Sequence, residues 1–384
     1  MTAALPPAGA IHYGRSSLSD VLPSALAALG VPDRDNALAL APAECVVLLL
    51  IDGLGSNLLR RHADRAPFLS SLAGNPLTAG FPTTTVASIA SVGTGLPSGQ
   101  HGLTGYTSGV DGQGEPVNWL RWRGVTSGRD LIEDLVPERL QPARTVFEYA
   151  EQAGVTVSVV SARAFRDSGF TRAVLRGGTY LPVFTAADTA TTVAAAAAGP
   201  RPALIYCYNS ELDLIGHTLG CGSEAWRVQL SLVDRAAELL AEHLPPYARL
   251  FITGDHGMVD VPASAKIDYD AEPVLSDEVE MLAGEARTRY VHVAAGALDR
   301  VRERWTSRLG DRMALLTREE AIARGWFGPT VTAAAYQRIG DLVAVATSNA
   351  AVVQHTVSPW TSALIGQHGA LTEDELLVPL LRYP

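Results

Sequence analysis

Residues 45–53, CVVLLLIDG, decide how this chain is read. Seven apolar residues run without alternation into an aspartate and a glycine. A strand with one face in water alternates apolar and polar side chains. An unbroken run suits a strand buried on both faces, as in a parallel sheet covered by helices. The same figure returns in VTVSVVSA (155–162), ALIYCYNS (203–210) and RLFITGDHG (249–257). Helical patterns separate these runs. RTVFEYAEQAG ends on Gly154, a helix-terminating residue. SEAWRVQLSLVDRAAELLAEHLPP spaces its apolar residues three and four apart until Pro245 stops it. Strand and helix in alternation give an α/β fold, a doubly wound and mostly parallel sheet between helices.

Residues 267–328 read differently. MLAGEARTRYVHVAAG holds a shorter strand and ALDRVRERWTSRLG a charged amphipathic helix, so this stretch is expected to be a small inserted α+β lobe. Residues 1–266 then form the first part of the core and 329–384 its last part, with DLVAVATS returning to the core pattern. TATTVAAAAAGP (189–200) is expected to be a surface helix.

With 384 residues, the chain suits one large domain with an insertion, or two domains sharing a core. Its formal net charge is −10 and Lys266 is its only lysine. No basic cluster is present of the kind that binds a phosphate backbone, which argues against a nucleic-acid duplex as partner. An acidic chain that handles phosphate needs another source of positive charge, and metal ions supply it. Cys45, Cys207 and Cys221 are too few and too odd for a disulfide framework. The first 20 residues lack a basic start and a sustained apolar run, and no stretch is long enough to span a bilayer, so neither a leader nor a membrane partner is expected. The expected location is the cytoplasm. Oligomeric state is not legible.

In open α/β sheets, ligands bind beyond the carboxyl ends of the strands. Asp52 follows the first run. Asp213 and His217 follow the third, and Asp255 and His256 the fourth; His368 lies late, in GQHGAL. Each alone has an ordinary reading: a helix cap, a solvated helix pair, a tight turn, a loop histidine. Together they are the carboxylate and imidazole set that binds zinc and similar divalent ions, enough for two three-ligand sites with room for substrate. Two such ions about 4 Å apart clamp an in-line displacement at phosphorus. A nucleophile is available in GFPTTTVASIASVG, where a helix begins among Thr83, Thr84 and Thr85. A hydroxyl there meets free backbone N–H groups that favour an anion.

The ordered set of IDGLG, FPTTTVAS, TGLPSGQHG, the D-x-x-x-H of Asp213 and His217, GDHGM and the late His368 resembles the alkaline phosphatase superfamily, and within it the type I phosphodiesterase/nucleotide pyrophosphatase family. The resemblance spans roughly residues 46–368. It implies an alkaline-phosphatase-like three-layer α/β/α core with an inserted lobe, and two metal ions, zinc in the family. One ion would lie on Asp213, His217 and His368; the other on Asp52, Asp255, His256 and the nucleophile. Laying the family pattern on FPTTTVASI puts that nucleophile at Thr85. Ser88 stands where the family carries an asparagine that donates to the phosphoryl oxygen. Tyr208, five residues before Asp213, takes the place of a tyrosine that packs on a nucleotide base. The C/S-x-P-x-R motif of sulfatases and the D-S-A serine of typical alkaline phosphatases are both missing.

The resemblance thus implies a hydrolase that cleaves phosphodiester or pyrophosphate bonds of a small phosphorylated substrate through a covalent phosphothreonine. The alternatives are a phosphomonoesterase of the same superfamily and a metal-dependent binding module for a phosphorylated ligand. A diesterase needs a recess for the second substituent, and Tyr208, Tyr106, Trp119 and Trp122 could line one.

Overall fold

The run at residues 45–51 forms strand β1 (Cys45–Ile51), buried along its whole length at the centre of a seven-stranded sheet. This computed structural model describes residues 9–384; residues 1–8, where the stretch read for a leader begins, lie outside the described residues. The strands that follow are β2 (Ala73–Thr78), β3 (Thr156–Ala162), β4 (Thr179–Val183), β5 (Ala203–Asn209) and β6 (Ala248–Thr253). Four lobe strands come next, β7 (Val279–Glu285), β8 (Thr288–Val293), β9 (Met313–Thr317) and β10 (Leu342–Ala346), before the last strand, β11 (Leu377–Tyr383). The central order is β2-β11-β6-β1-β5-β3-β4. β1 pairs in parallel with β5 and β6, while β11 runs antiparallel to β6 and β2.

Both faces of β1 are covered, as its unbroken apolar run requires. Val46, Leu48 and Leu50 enter one hydrophobic layer with helices α1 (Thr85–Thr94) and α2 (Val146–Gln152). Val47, Leu49 and Ile51 enter the other, with α3 (Ala186–Ala197), α4 (Glu211–Leu219) and α5 (Glu224–His243). α5 presents Trp226, Leu230, Val233 and Ala237 to that layer at the three- and four-residue spacing seen in the sequence. Burial of each large side chain contributes roughly 1.5–3 kcal/mol. All three cysteines are free and buried. Among the described residues, no helix is long and apolar enough to cross a membrane.

The lobe is a four-stranded antiparallel sheet, β7-β8-β10-β9, with its own core around Tyr290, Trp305 and Val343 and the helix α6 (Leu298–Leu309). DLVAVATS therefore does not return to the central sheet. Its strand β10 pairs with β8 and β9 inside the lobe. The physical reason is that an apolar run buried on both faces looks alike in either sheet; periodicity marks a strand but not its partner. The chain re-enters the central sheet only at β11. Lys266–Asp268 and Ala351–Val353 pair in parallel at the base of the lobe.

Candidate active site

The parallel order places the carboxyl ends of β1, β5 and β6 side by side, and the polar turns that follow them converge. Asp52 leaves β1 and Asp255–His256 leave β6. Asp213 and His217 lie one turn apart on α4, just past β5. Two close approaches hold these turns. Gly53 adopts φ +75°, and a Cβ there would lie 3.1 Å from Asp213 Cα. A Cβ on Gly55 would lie 2.8 Å from Gly257 Cα, so the turns after β1 and β6 pack backbone to backbone. His368 arrives from the lobe side, beside Gly366–Gln367, which pairs with Val259–Asp260.

Each histidine is fixed in the same way. His217 Nδ1 lies 2.8 Å from Gly366 O, His256 Nδ1 3.0 Å from Gly257 O, and His368 Nδ1 2.8 Å from Thr83 O. A carbonyl accepts, so each Nδ1 donates its hydrogen and each neutral ring keeps its Nε2 lone pair free. His217 Nε2 and His368 Nε2 nevertheless face each other at 3.2 Å. Two acceptors at that distance have no hydrogen to share. Their shared need is an electrophile, and imidazoles oriented by carbonyls in this manner are typical metal ligands.

The carboxylates complete the pattern. Asp52 Oδ1, Asp213 Oδ1 and Asp255 Oδ2 are buried with no hydrogen-bond partner. Asp52 Oδ1 and Asp255 Oδ2 each lie 3.5 Å from His256 Nε2, and Asp213 Oδ2 lies 3.4 Å from His217 Nε2. Ligand atoms of Asp213, His217 and His368 fall within 4.8 Å of one another, as do those of Asp52, Asp213 and His256. Asp213 thus stands between the two groups, and Asp255 joins the second through His256. Asp255 Oδ1 accepts from the backbone N–H of Gly53 and of His256.

Burial, then repulsion from Asp255 and Asp213, pushes the Asp52 carboxyl well above the usual carboxylate range. Burial also raises Asp255, against the opposing pull of His256. His368 is driven well below the usual imidazole range by burial and by His256 and His217. Crowded acids and an imidazole that resist charge fit divalent cations, which stabilise ionised acids and a neutral ring together.

Thr85 is the first residue of α1, buried, with Oγ1 3.2 Å from His256 Nε2. Thr83 is structural: its hydroxyl donates to Ala370 O at 2.7 Å and accepts from Gly369 N at 3.1 Å. Thr84 caps α1 in an extended conformation. Ser88 is fully buried one turn beyond Thr85, with its Oγ unpartnered and outside the cavity wall. Tyr208 lies at the end of β5, where its hydroxyl donates to Asp52 Oδ2 while its ring lines the cavity.

A cavity of about 450 Å³ opens over Asp52, Thr85, Asp213, His217 and His368. Tyr106 and Tyr208 line it. Trp119 and Trp122 do not; they pack edge to face in the core, their indole N–H groups donating to Ser108 and to the Leu135 carbonyl. The sequence reading missed Glu285 and Arg289, which reach the cavity from the lobe, and the exposed rim of Phe165, Leu214 and Trp360. Nothing in the spacing of GEARTRY tells Glu285 and Arg289 from the buried Arg287 between them, so the sequence carries no signal for them.

The fold is similar to that of solved proteins. Murine ectonucleotide pyrophosphatase/phosphodiesterase 5 superposes with a TM-score of 0.69 at 19% identity, covering 87% of each chain. An inactive threonine-to-alanine form of the murine protein in complex with AMP gives 0.68 at 18%, again over 87% of each. The human protein gives 0.68 at 19%, over 88% of this chain and 87% of its own. No curated protein sequence matches the chain. Residues 46–371 match the model of one family of metal-dependent hydrolases, from the start of β1 to just past His368. On that match the chain is an enzyme and belongs to the type I phosphodiesterase/nucleotide pyrophosphatase family.

Proposed function

We propose that the chain hydrolyses phosphodiester or pyrophosphate bonds of a small phosphorylated substrate, with Thr85 as nucleophile beside two divalent ions, zinc in this reading. The observation that carries this is the convergence of three carbonyl-oriented imidazoles and three unpartnered carboxylate oxygens on a buried threonine hydroxyl. Asp213, His217 and His368 would hold one ion; Asp52, Asp255, His256 and Thr85 the other. Such ions, when bound, neutralise phosphoryl oxygens and lower the pKa of hydroxyl and water. In the first displacement the Thr85 hydroxyl gives up its proton and the Oγ1–phosphorus bond forms in line as one P–O bond breaks; the alcohol or phosphate on that bond departs, and the other substituent stays on the phosphorus of the covalent phosphothreonine. Water then displaces the threonine. Backbone N–H groups at the start of α1 face the phosphoryl oxygens.

The murine relative that loses activity on replacement of a threonine, and that binds AMP, supports both the nucleophile and a nucleotide-sized ligand. The volume of the cavity and the rim of Phe165, Leu214 and Trp360 suit a small diester with a second substituent. Three free, buried cysteines fit a cytoplasmic location. The test compares bis-aryl with mono-aryl phosphates as substrates of zinc-loaded protein. Preferential diester hydrolysis is expected; a strong monoester preference would reverse the assignment.

A further inference from the structure

Glu285 has no role in the reading above, yet it is the most conspicuous side chain on the lobe wall of the cavity. It ends β7, its side chain is 9% exposed, and neither carboxylate oxygen has a hydrogen-bond partner. Across the hairpin from it, Thr288 is tied to Gly369 O at 2.8 Å, so the backbone that presents Glu285 is held against the His368 loop. Arg289 lines the same cavity. Its only side-chain hydrogen bond among the described residues runs from Nε to Val352 O at 2.9 Å, and it forms no ion pair with Glu285 within 4.0 Å. The nearest nitrogen of an ionisable group to Glu285 is His368 Nδ1, 3.9 Å from Oε2 and already donating to Thr83 O, so the lobe offers an acid without a hydrogen-bond partner and an arginine with free donors to whatever fills the cavity. A desolvated carboxyl left without a hydrogen-bond partner is destabilising unless a ligand completes it, and the half-buried Arg289 stands beside it with guanidinium N–H groups to spare.

The chemistry of that ligand is constrained. An ammonium could pair with Glu285 but would be repelled by Arg289. A phosphoryl oxygen would suit Arg289 but oppose an ionised Glu285. A hydroxyl accepts from Arg289, and it can donate to a carboxylate or accept from a carboxylic acid, so it satisfies this wall in any state. We propose that Glu285 and Arg289 form a subsite for hydroxyl groups on the organic substituent of the phosphoester, making the enzyme selective for sugar- or polyol-bearing diesters. This rests on the phosphodiesterase reading and names the substrate class within it.

The experiment uses matched p-nitrophenyl diesters with metal-loaded protein. One arm compares the glycerol phosphate ester with the propyl phosphate ester; the other compares a ribonucleoside 5′-ester with its 2′,3′-dideoxy counterpart. In at least one arm, kcat/KM is expected to favour the hydroxylated member by roughly 10- to 100-fold, the range of a hydrogen bond to a charged group. The arm that responds tells a polyol source from a sugar source. In Glu285→Leu that ratio falls toward one, and Glu285→Gln, which keeps a hydrogen-bonding head, retains part of it. Equal rates for both members of both pairs in the wild type overturn the subsite, as does a preference that survives Glu285→Leu. The wild-type comparison stands even if a variant fails to fold. If the wild type cleaves none of the four esters, the phosphodiesterase reading itself falls, a result distinct from cleavage without selectivity.

Discussion

Thr85 is placed by its backbone, and its hydroxyl then meets His256 Nε2 at 3.2 Å. It opens α1 because Thr84 caps the helix in an extended conformation and Thr83 is tied to the His368 loop. Thr85→Ala is expected to lower diester hydrolysis by about 10³-fold or more, as loss of a nucleophile does, while bound zinc, measured by elemental analysis, persists. Unchanged turnover would remove Thr85 from the reaction. Tyr208 acts through Asp52: Tyr208→Phe removes the hydroxyl that donates to Oδ2 and is expected to weaken metal affinity by roughly 10- to 100-fold, the range for groups that orient a ligand. A competition titration with a chelator reads this directly. The acids and imidazoles were legible in the sequence because each follows a strand or sits on a helix beside one, and ligands collect at strand ends. Glu285 was not, since a glutamate in a lobe strand shows neither its neighbours nor its lack of them.

Between elements, the lobe is locked to the core by a buried ion pair. Arg287, at the β7–β8 hairpin, donates to Glu375 from Nε at 2.7 Å and from Nη2 at 2.8 Å, and both side chains are fully buried. Glu375 also accepts from Ala370 N, and its carbonyl accepts from Gly257 N, so the pair reaches the backbone beside both His368 and His256. Removing one partner strands a buried charge. Arg287→Met is expected to destabilise the protein by about 3–5 kcal/mol in urea unfolding, and adding Glu375→Leu should recover most of that loss. A second device lies after α1. His101 Nδ1 accepts from Leu103 N and its Nε2 faces Ser91 of α1, and burial pushes this imidazole down to about 3. Between pH 6.5 and about 3 the unfolded chain therefore binds a proton that the native chain does not, so stability falls as pH drops through that window and is flat above it. Unfolding midpoints at pH 7 and 4.5 should show this fall, and a smaller one in His101→Gln. At this scale the sequence named the four inner strands correctly. It missed β2, β4 and β11: Pro182 lies in the edge strand β4, and Pro76 and Pro379 stand opposite each other near the other edge, so each strand is disguised as a loop.

Across the whole molecule, the site is assembled from segments more than three hundred residues apart, carried by a parallel core and closed by a lobe. The core was readable because a doubly covered sheet demands continuous apolar runs. The extent of the lobe was not, because β10 has the same character as a core strand. Such an assembly couples metal binding to folding. Ions that bind only the native chain add roughly 3 kcal/mol at a hundredfold excess over Kd, so chelation should lower Tm by several degrees. The central claim is that six side chains hold two divalent ions at Thr85. Its most direct measurement is anomalous diffraction from crystals of zinc-loaded protein. Two strong peaks are expected, one against Asp213, His217 and His368, the other against Asp52, Asp255, His256 and the Thr85 hydroxyl. A fully folded, active chain with no peak at either position would contradict it.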